Sequence, residues 1–306
     1  MQEKQEARGE FGLSIIVPVY NEESGVGGTV ERLGRVLDEA DFPCEVVLVN
    51  DGSTDGTHAV LEGVSREGIR VLHQANRGYG GALKAGIGQA RYGYVAITDA
   101  DGTYPNGRIP EFFHQCESKG LDMVVGARTG ENVSIPLARR PAKWVLNKLA
   151  NYLSGTRIPD LNSGLRVMRK EVVERYGNIL PEGFSFTTTI TLAMLTGGYR
   201  VAFEPIDYLA RKGKSKIRPI HDTLNFIQLI VRTVLYFEPL RVFLPASLLM
   251  LALSVAWGAF SYFALGKFAD ASTMLLFMTG IQLGALGLLA DLIDRRLGGG
   301  QRRRGG

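Results

Sequence analysis

At 306 residues the chain is long enough for one α/β catalytic domain with an appendage and too short for two full domains. A formal charge of +4 excludes nucleic acid as the default partner, and much of that excess is local, in Arg295, Arg296 and Arg302 to Arg304. Cys44 and Cys116 have no metal-ligand spacing and are expected as small apolar fillers in a reducing compartment.

Residues 1–10 are polar and charged, which carries no secretory signal and predicts a disordered tail. Residues 13–20, Leu-Ser-Ile-Ile-Val-Pro-Val-Tyr, are short, apolar and rich in β-branched side chains, the pattern of a buried parallel strand. Helical spacing follows over 26–40, with Val26, Val30, Leu33 and Leu37 on one face. Strands are predicted at 45–49, 69–73, 94–98 and 123–126, and helices at 57–65 and 81–90. Strands alternating with helices predict a doubly wound parallel sheet, in which ligands sit at the carboxyl ends of the strands. The polar clusters Tyr20-Asn-Glu22, Asn50-Asp51, Asp99-Ala-Asp101 and Gly126-Ala-Arg128 all fall at that edge.

Two amphipathic stripes come next, over 139–153 and 220–235. Each is compatible with packing against the sheet or with lying in a headgroup plane, and nearness to the C-terminal segments favours the interfacial reading for the second. Residues 242–266 and 271–290 carry no charge, and each meets the requirement of about 20 apolar residues for a bilayer span. The connection over 267–270 allows only a tight turn, so the two spans form a hairpin. Arg232, Arg241, Arg295 and Arg296 flank it against a lone Lys267 in the turn, which puts both termini and the catalytic domain on the cytoplasmic side of a cell or ER-type membrane. The expected organisation is a tail over 1–10, a catalytic domain over 11–216, an interfacial helix over 217–241, a membrane hairpin over 242–296 through which copies could associate, and a Gly/Arg tail over 297–306.

Asp99 and Asp101 end a predicted buried strand. Carboxylates so close repel, a cost best borne when a shared Mg2+ or Mn2+ takes their hard oxygens and bridges to substrate phosphates; a solvated Asp-Gly turn is the plainer alternative. Asp51 is placed to hydrogen-bond a ribose or base, while Ser53, Thr54 or Asp55 caps the helix from residue 57. His58, His73, His114 and His221 show neither metal nor triad spacing and are expected to be structural or on the surface. Gly78-Tyr-Gly80-Gly is not a dinucleotide fingerprint, no Walker lysine is present, and the Gln-x-x-Arg-Trp signature of processive polysaccharide synthases is absent.

Together with Ile16-Val-Pro18-Val-Tyr20-Asn-Glu22, these segments resemble glycosyltransferase family 2. Further segments resemble its polyprenyl-phosphate glycosyltransferases, of the dolichol-phosphate mannose synthase type: Asn76-Arg-Gly78-Tyr-Gly80-Gly-Ala-Leu-Lys84-Ala-Gly86, Val125-Gly-Ala-Arg128, Asn162-Ser-Gly-Leu-Arg166 and Arg211-Lys-Gly-Lys-Ser-Lys216. The resemblance implies an α/β, A-type glycosyltransferase (nucleotide-diphospho-sugar transferase) fold ahead of the transmembrane hairpin. It implies that Pro18, Tyr20, Glu22, Val49 and Asp51 hold the nucleotide's base and ribose, and that Asp99, Ala100 and Asp101 form the nucleotide and metal site. Arg128, Arg140, Arg211, Ser215 and Lys216 then face the donor diphosphate and the lipid phosphate, with Asp99, Asp101, Arg128, Arg211 and Lys216 carrying catalysis. The implied activity is metal-dependent, inverting transfer of one sugar from a nucleotide-sugar to a polyprenyl phosphate. A glycolipid acceptor, or a non-catalytic sugar-nucleotide sensor or scaffold, are the rivals. Two departures stand out: Gly102-Thr103-Tyr104 replaces the family's Leu-Gln-His, which leaves a third protein ligand open, and 183–190 lacks the lysine and glutamate of many relatives.

Overall fold

Alternate residues of the first strand are buried on opposite faces of one sheet, and this two-sided burial organises the catalytic unit. In the computed structural model, which describes residues 10–129, 148, 151–152, 155–208, 239–266 and 269–302, β1 spans Glu10–Val19. Leu13, Ile15, Val17 and Val19 join one apolar cluster and Ile16 the other. The next elements are α1 (Val26–Glu39), β2 (Cys44–Asp51), α2 (Thr57–Glu62), β3 (Ile69–Gln74), α3 (Tyr79–Gly88) and β4 (Tyr92–Ile97). After them come α4 (Ile109–Lys119), β5 (Met123–Ala127), β6 (Arg166–Arg169), α5 (Lys170–Arg175), α6 (Phe186–Thr196) and β7 (Val201–Pro205).

Helices cover both faces, as a sheet of near-continuous apolar strands requires. Leu33 and Val36 of α1, Leu61 of α2 and Phe112, Phe113 and Cys116 of α4 pack on one side. Ala82, Leu83 and Ile87 of α3, Val172 and Val173 of α5, and Phe186, Ile190 and Met194 of α6 pack on the other.

The strand order is β3-β2-β1-β4-β6-β5-β7. This corrects the expectation of an all-parallel sheet: β6 runs antiparallel between β4 and β5, while the remaining pairs are parallel. At four residues with an arginine at each end, β6 presents no apolar run from which a strand could be recognised. Its direction has a functional consequence. Arg166 pairs with Ile97 and with Val125, so the residues just before 166 stand beside those just after 97 and 125. The order reverses between β1 and β4, the type of crevice where open α/β sheets bind ligands.

The C-terminal unit is a helical hairpin of α7 (Leu240–Leu265) and α8 (Asp270–Arg302), the latter continuing into the expected basic tail. Both helices are long and apolar enough to cross a membrane, over Leu240–Ala264 and Asp270–Ile293, and few of their residues are buried. Polar groups turn inward instead. Ser247 donates to the Gly280 carbonyl at 2.8 Å, Ser254 to the Thr273 carbonyl at 2.9 Å, and Ser261 accepts from the Ala269 amide at 3.1 Å. Those serines recur every seven residues along one face of α7, and Gly280, Gly284 and Gly287 of α8 lie against that helix. Leu248, Val255, Phe263 and Leu275 point outward, a surface suited to lipid. The amphipathic stripes over 139–153 and 220–235 lie outside the described residues, apart from 148, 151 and 152.

Candidate active site

The site is built on the carboxyl ends of β1, β2, β4 and β5 and on the amino end of β6. The β1–β4 ladder ends at Ile16 and Ile97, while β1–β2 pairing continues to Val19 and Asn50, so β1 and β4 part just beyond Ile16. Two loops past this point are laced together. The Asn21 amide donates to Ser53 Oγ at 3.0 Å, the Thr54 amide to Asn21 Oδ1 at 2.7 Å, and the Glu22 amide to Thr57 Oγ1 at 2.9 Å. Asn21 adopts φ 53°, a left-handed conformation that asparagine tolerates better than most side chains. Asp55 Oδ1 accepts from the Thr57 amide at 3.0 Å, but the cap position of α2 is Gly56, which makes no side-chain cap bond, so Asp55 braces the turn before the helix and the expected cap is not formed.

Asp51 is 3% exposed, and its carboxylate accepts hydrogen bonds from the Arg77 and Gly78 amides, both at 2.8 Å, and from Gln74 Nε2 at 2.6 Å. It therefore shapes the 76–78 turn that opens α3. Val49 is fully buried in the core and is paired on both sides, with Pro18 of β1 and Leu72 of β3, so it offers a ligand no exposed surface, contrary to the expected nucleotide contact.

The paired carboxylates differ in their surroundings. Asp99 Oδ1 accepts from the Tyr79 hydroxyl at 3.1 Å, and both Asp99 oxygens lie 3.0 Å from where a Cβ on Gly164 would stand. The Gly164 amide in turn donates to the Tyr104 hydroxyl at 2.7 Å. Burial, and then the Asp99 charge, push the Tyr79 hydroxyl well above its ordinary pKa, so it stays protonated and donates. Asp101 Oδ1 accepts from the Thr103 amide at 3.1 Å and its hydroxyl at 2.7 Å. Between them the Ala100 carbonyl accepts from Thr29 at 2.8 Å. A Cβ on Gly25 would lie 3.4 Å from the Ala100 oxygen and 3.6 Å from Glu22 Oε2, which brings Glu22 to the same corner.

Arg128 reaches the site from the end of β5, and Asp160 takes one edge of its guanidinium. The Tyr208 ring lies below that guanidinium, 5.3 Å from centroid to Cζ. Burial opposes the Arg128 charge, but the hydrogen bonds it donates to Asp160, the neighbouring Tyr104 and the Asp160 charge prevail and hold the group above the usual arginine range. Asp160 carried no sequence signal of its own. It is an isolated acid just before the Asn162–Arg166 motif, and the antiparallel β6 is what delivers it here.

Arg166 is fully buried and bonds neutral oxygens, namely the Thr187 carbonyl at 3.0 Å, Thr191 Oγ1 at 2.9 Å and the Ser163 carbonyl. Burial pushes its pKa down to about 10, which leaves it charged at neutral pH. It ties the 160–165 loop to α6, where Thr188 donates to Asn162 Oδ1 at 2.5 Å. A second wall is the segment 181–184, laid over the start of α3. The Gly81 amide donates to the Glu182 carbonyl at 3.0 Å, Arg77 pairs with Glu182 at 2.5 Å, and Phe184 stacks on Tyr79.

Pro18, Tyr20, Glu22, Val49, Asp51, Asp99, Ala100, Asp101 and Arg128 thus share one edge, whereas Arg140, Arg211, Ser215 and Lys216 lie outside the described residues. His58 and His73 meet at 4.5 Å between ring centroids, beside Asn50. Among the described residues no group of three or more His, Cys, Asp or Glu side chains could hold a metal. The donor set at 99–101 is two carboxylates, which fits a hard divalent cation completing its shell with substrate phosphate and water.

The family model described as Glycosyl transferase family 2 matches residues 14–177, and that described as GtrB C-terminal hairpin matches 238–295. A dodecaprenyl-phosphate galacturonate synthase of Rhizobium johnstonii is 29% identical over 302 residues, covering 92% of this chain and 88% of the relative. A dolichyl-phosphate hexose transferase of Haloferax volcanii is 32% identical over 208 residues, 68% of this chain and 87% of the relative. A bactoprenol glucosyl transferase of Shigella phage SfV is 27% identical, with 92% and 93% covered. The fold is shared with glucosyl-3-phosphoglycerate synthase from Mycobacterium tuberculosis, solved with Mn2+, UDP-glucose and phosphoglyceric acid, at TM-score 0.57 and 17% identity over 76% of this chain and 83% of that one. With paired carboxylates at a strand crevice, an A-type sheet around them and a GtrB hairpin later in the sequence, the chain belongs to glycosyltransferase family 2.

Proposed function

We propose that the chain transfers one sugar from a nucleoside diphosphate-sugar to a polyprenyl phosphate at the cytoplasmic membrane face, with inversion at the anomeric carbon. The observation that carries this reading is the meeting of Asp99 and Asp101 with Arg128 at one sheet edge, on a chain that ends in a GtrB hairpin. Relatives named for dodecaprenyl-phosphate, dolichyl-phosphate and bactoprenol transfer support the acceptor class.

The chemistry asks little of a general base. A phosphate monoester, with a second pKa of about 6, is largely dianionic at neutral pH and attacks directly. Its oxygen bonds to the anomeric carbon as the bond from that carbon to the diphosphate oxygen breaks, and the nucleoside diphosphate leaves. Positioning and charge neutralisation are then the enzyme's task. Asp51, with the loops laced through Asn21 and Ser53, frames the nucleoside end. Asp99 and Asp101 would hold a Mg2+ or Mn2+, which when bound neutralises the leaving diphosphate. Asp160 aims Arg128 at the phosphate side, where a planar guanidinium suits phosphate oxygens. Arg140, Arg211 and Lys216 complete the cationic group in this reading, with the Ser215 hydroxyl donating to the phosphate. Arg241, Arg295 and Arg296, which flank the two spans in the sequence, against a lone Lys267 between them, support a cytoplasmic site.

The test is to incubate the full chain with labelled nucleotide-sugars, undecaprenyl or dolichyl phosphate, and Mn2+, Mg2+ or EDTA. The expected product is a lipid carrying one sugar on a mild-acid-labile phosphate link, formed with either metal and lost in EDTA. Label on a glycolipid instead, or transfer indifferent to EDTA, overturns the acceptor or the metal assignment respectively.

A further inference from the structure

Phe184 is 68% exposed, more than Phe11 at 59% or Tyr20 at 38% in the same unit. A solvated aromatic is ordinary by itself, but this one is held still. Its ring stacks on Tyr79 at 5.6 Å between centroids and 20° between planes, and the Tyr79 hydroxyl is bonded to Asp99. The chain beneath has no slack. A Cβ on Gly78 would stand 2.8 Å from the Glu182 carbonyl oxygen, and one on Gly80 would collide with that of Pro181. Arg77 grips Glu182 by its side chain while its amide is bonded to Asp51. The segment 181–184 therefore runs from the Asp51 end of the site to the Asp99 end.

We propose that Phe184 is a stacking platform for the hexopyranose of the donor, receiving the C–H face of the ring beside the paired carboxylates. This rests on the nucleotide-sugar reading and adds the sugar subsite to it. A donor with its nucleoside near Asp51 and its diphosphate at Asp99 and Asp101 has the hexose as its next group. The negative π-face of an aromatic ring favours polarised C–H groups. Stacking also needs a fixed plane, which Tyr79 and the glycine contacts provide and which a flexible prenyl chain would not require. Phenylalanine has no polar tip, so it registers the ring and not the pattern of hydroxyls; selection among hexoses then falls to other contacts.

The experiment uses the full chain in detergent, with UDP-glucose, UDP-galacturonic acid and GDP-mannose as probes, and measures both binding without acceptor and transfer. Phe184→Ala and Phe184→Leu should weaken binding of the accepted nucleotide-sugar by about fivefold to tenfold, while Phe184→Trp stays near wild type. Affinity for the matching nucleoside diphosphate and KM for polyprenyl phosphate should not change. Wild-type sugar-nucleotide binding in the Ala and Leu variants overturns the platform while leaving transfer intact. So does an equal loss for the bare diphosphate, or a loss confined to the lipid KM. Phe184-dependent binding with no lipid glycosylated upholds the platform and instead removes the acceptor assignment.

Discussion

Arg128 and Asp160 meet edge to edge, with Nε donating to Oδ2 at 2.7 Å and Nη2 to Oδ1 at 3.0 Å. Asp160 is 2% exposed, so this pair sits largely out of water, where breaking it by removing one partner costs about 3–5 kcal/mol. Asp160→Leu should therefore lower the thermal unfolding temperature of the full chain in detergent more than Arg128→Leu with Asp160→Leu does. The double variant keeps its fold and loses transfer. Equal destabilisation by the single and the double change would mean that the pair is not coupled.

Gly164 has no room for a side chain, because Asp99 occupies it. An added Cβ would stand 3.0 Å from both carboxylate oxygens. Gly164→Ala is expected to push Asp99 aside and reduce Mn2+ affinity by about 10–100-fold, the range typical of a displaced supporting shell. Thermal stability should change little. Mn2+ titration followed by paramagnetic resonance reads the effect, and wild-type affinity in this variant would place the metal elsewhere.

Those two residues mark the boundary between what the sequence reveals and what it hides. Asp51, Asp99 and Asp101 each end an apolar run that could only be a buried strand, so their address at the sheet edge is legible. Asp160 is not, since it precedes β6, a strand of four residues with arginine at both ends whose direction no periodicity announces. Arg166 belongs to a visible motif yet resembles a surface arginine, and only packing shows it buried against Thr187 and Thr191. Phe184 is hidden for a similar reason: its role depends on a stack with Tyr79 across more than a hundred positions of chain. The hairpin, whose signal is plain lack of charge over a long stretch, is the most legible part of all.

Asp51 holds the 76–78 turn with both carboxylate oxygens. Asp51→Asn replaces one acceptor with an amide that faces backbone N–H groups, leaving a buried donor without a partner, at a cost of about 1–3 kcal/mol. Hydrogen exchange at the Arg77 and Gly78 amides should rise sharply while α3 beyond residue 80 stays protected, and nucleoside diphosphate affinity should fall. Unchanged protection at those two amides would show that the turn stands without Asp51.

Cys44 and Cys116 are free thiols, and burial, the larger cause in both, pushes each up to about 12; the neighbouring Glu45 adds to the effect at Cys44. Only a thiolate reacts, so at pH 8 about one thiol in ten thousand is competent and iodoacetamide should label neither site in the native chain. The rate should climb about tenfold per pH unit, and both residues should label at once after unfolding in urea. The same shift affects stability. The unfolded chain releases each thiol proton near the ordinary 9.0, whereas the folded chain keeps it to about 12, so the native state binds more protons in that window. Stability from these groups is complete below pH 9.0 and declines as pH rises toward about 12, and replacing both cysteines with alanine should flatten that part of the urea midpoint against pH. Rapid labelling of Cys44 at pH 8 would show instead that its side chain reaches solvent as a thiolate.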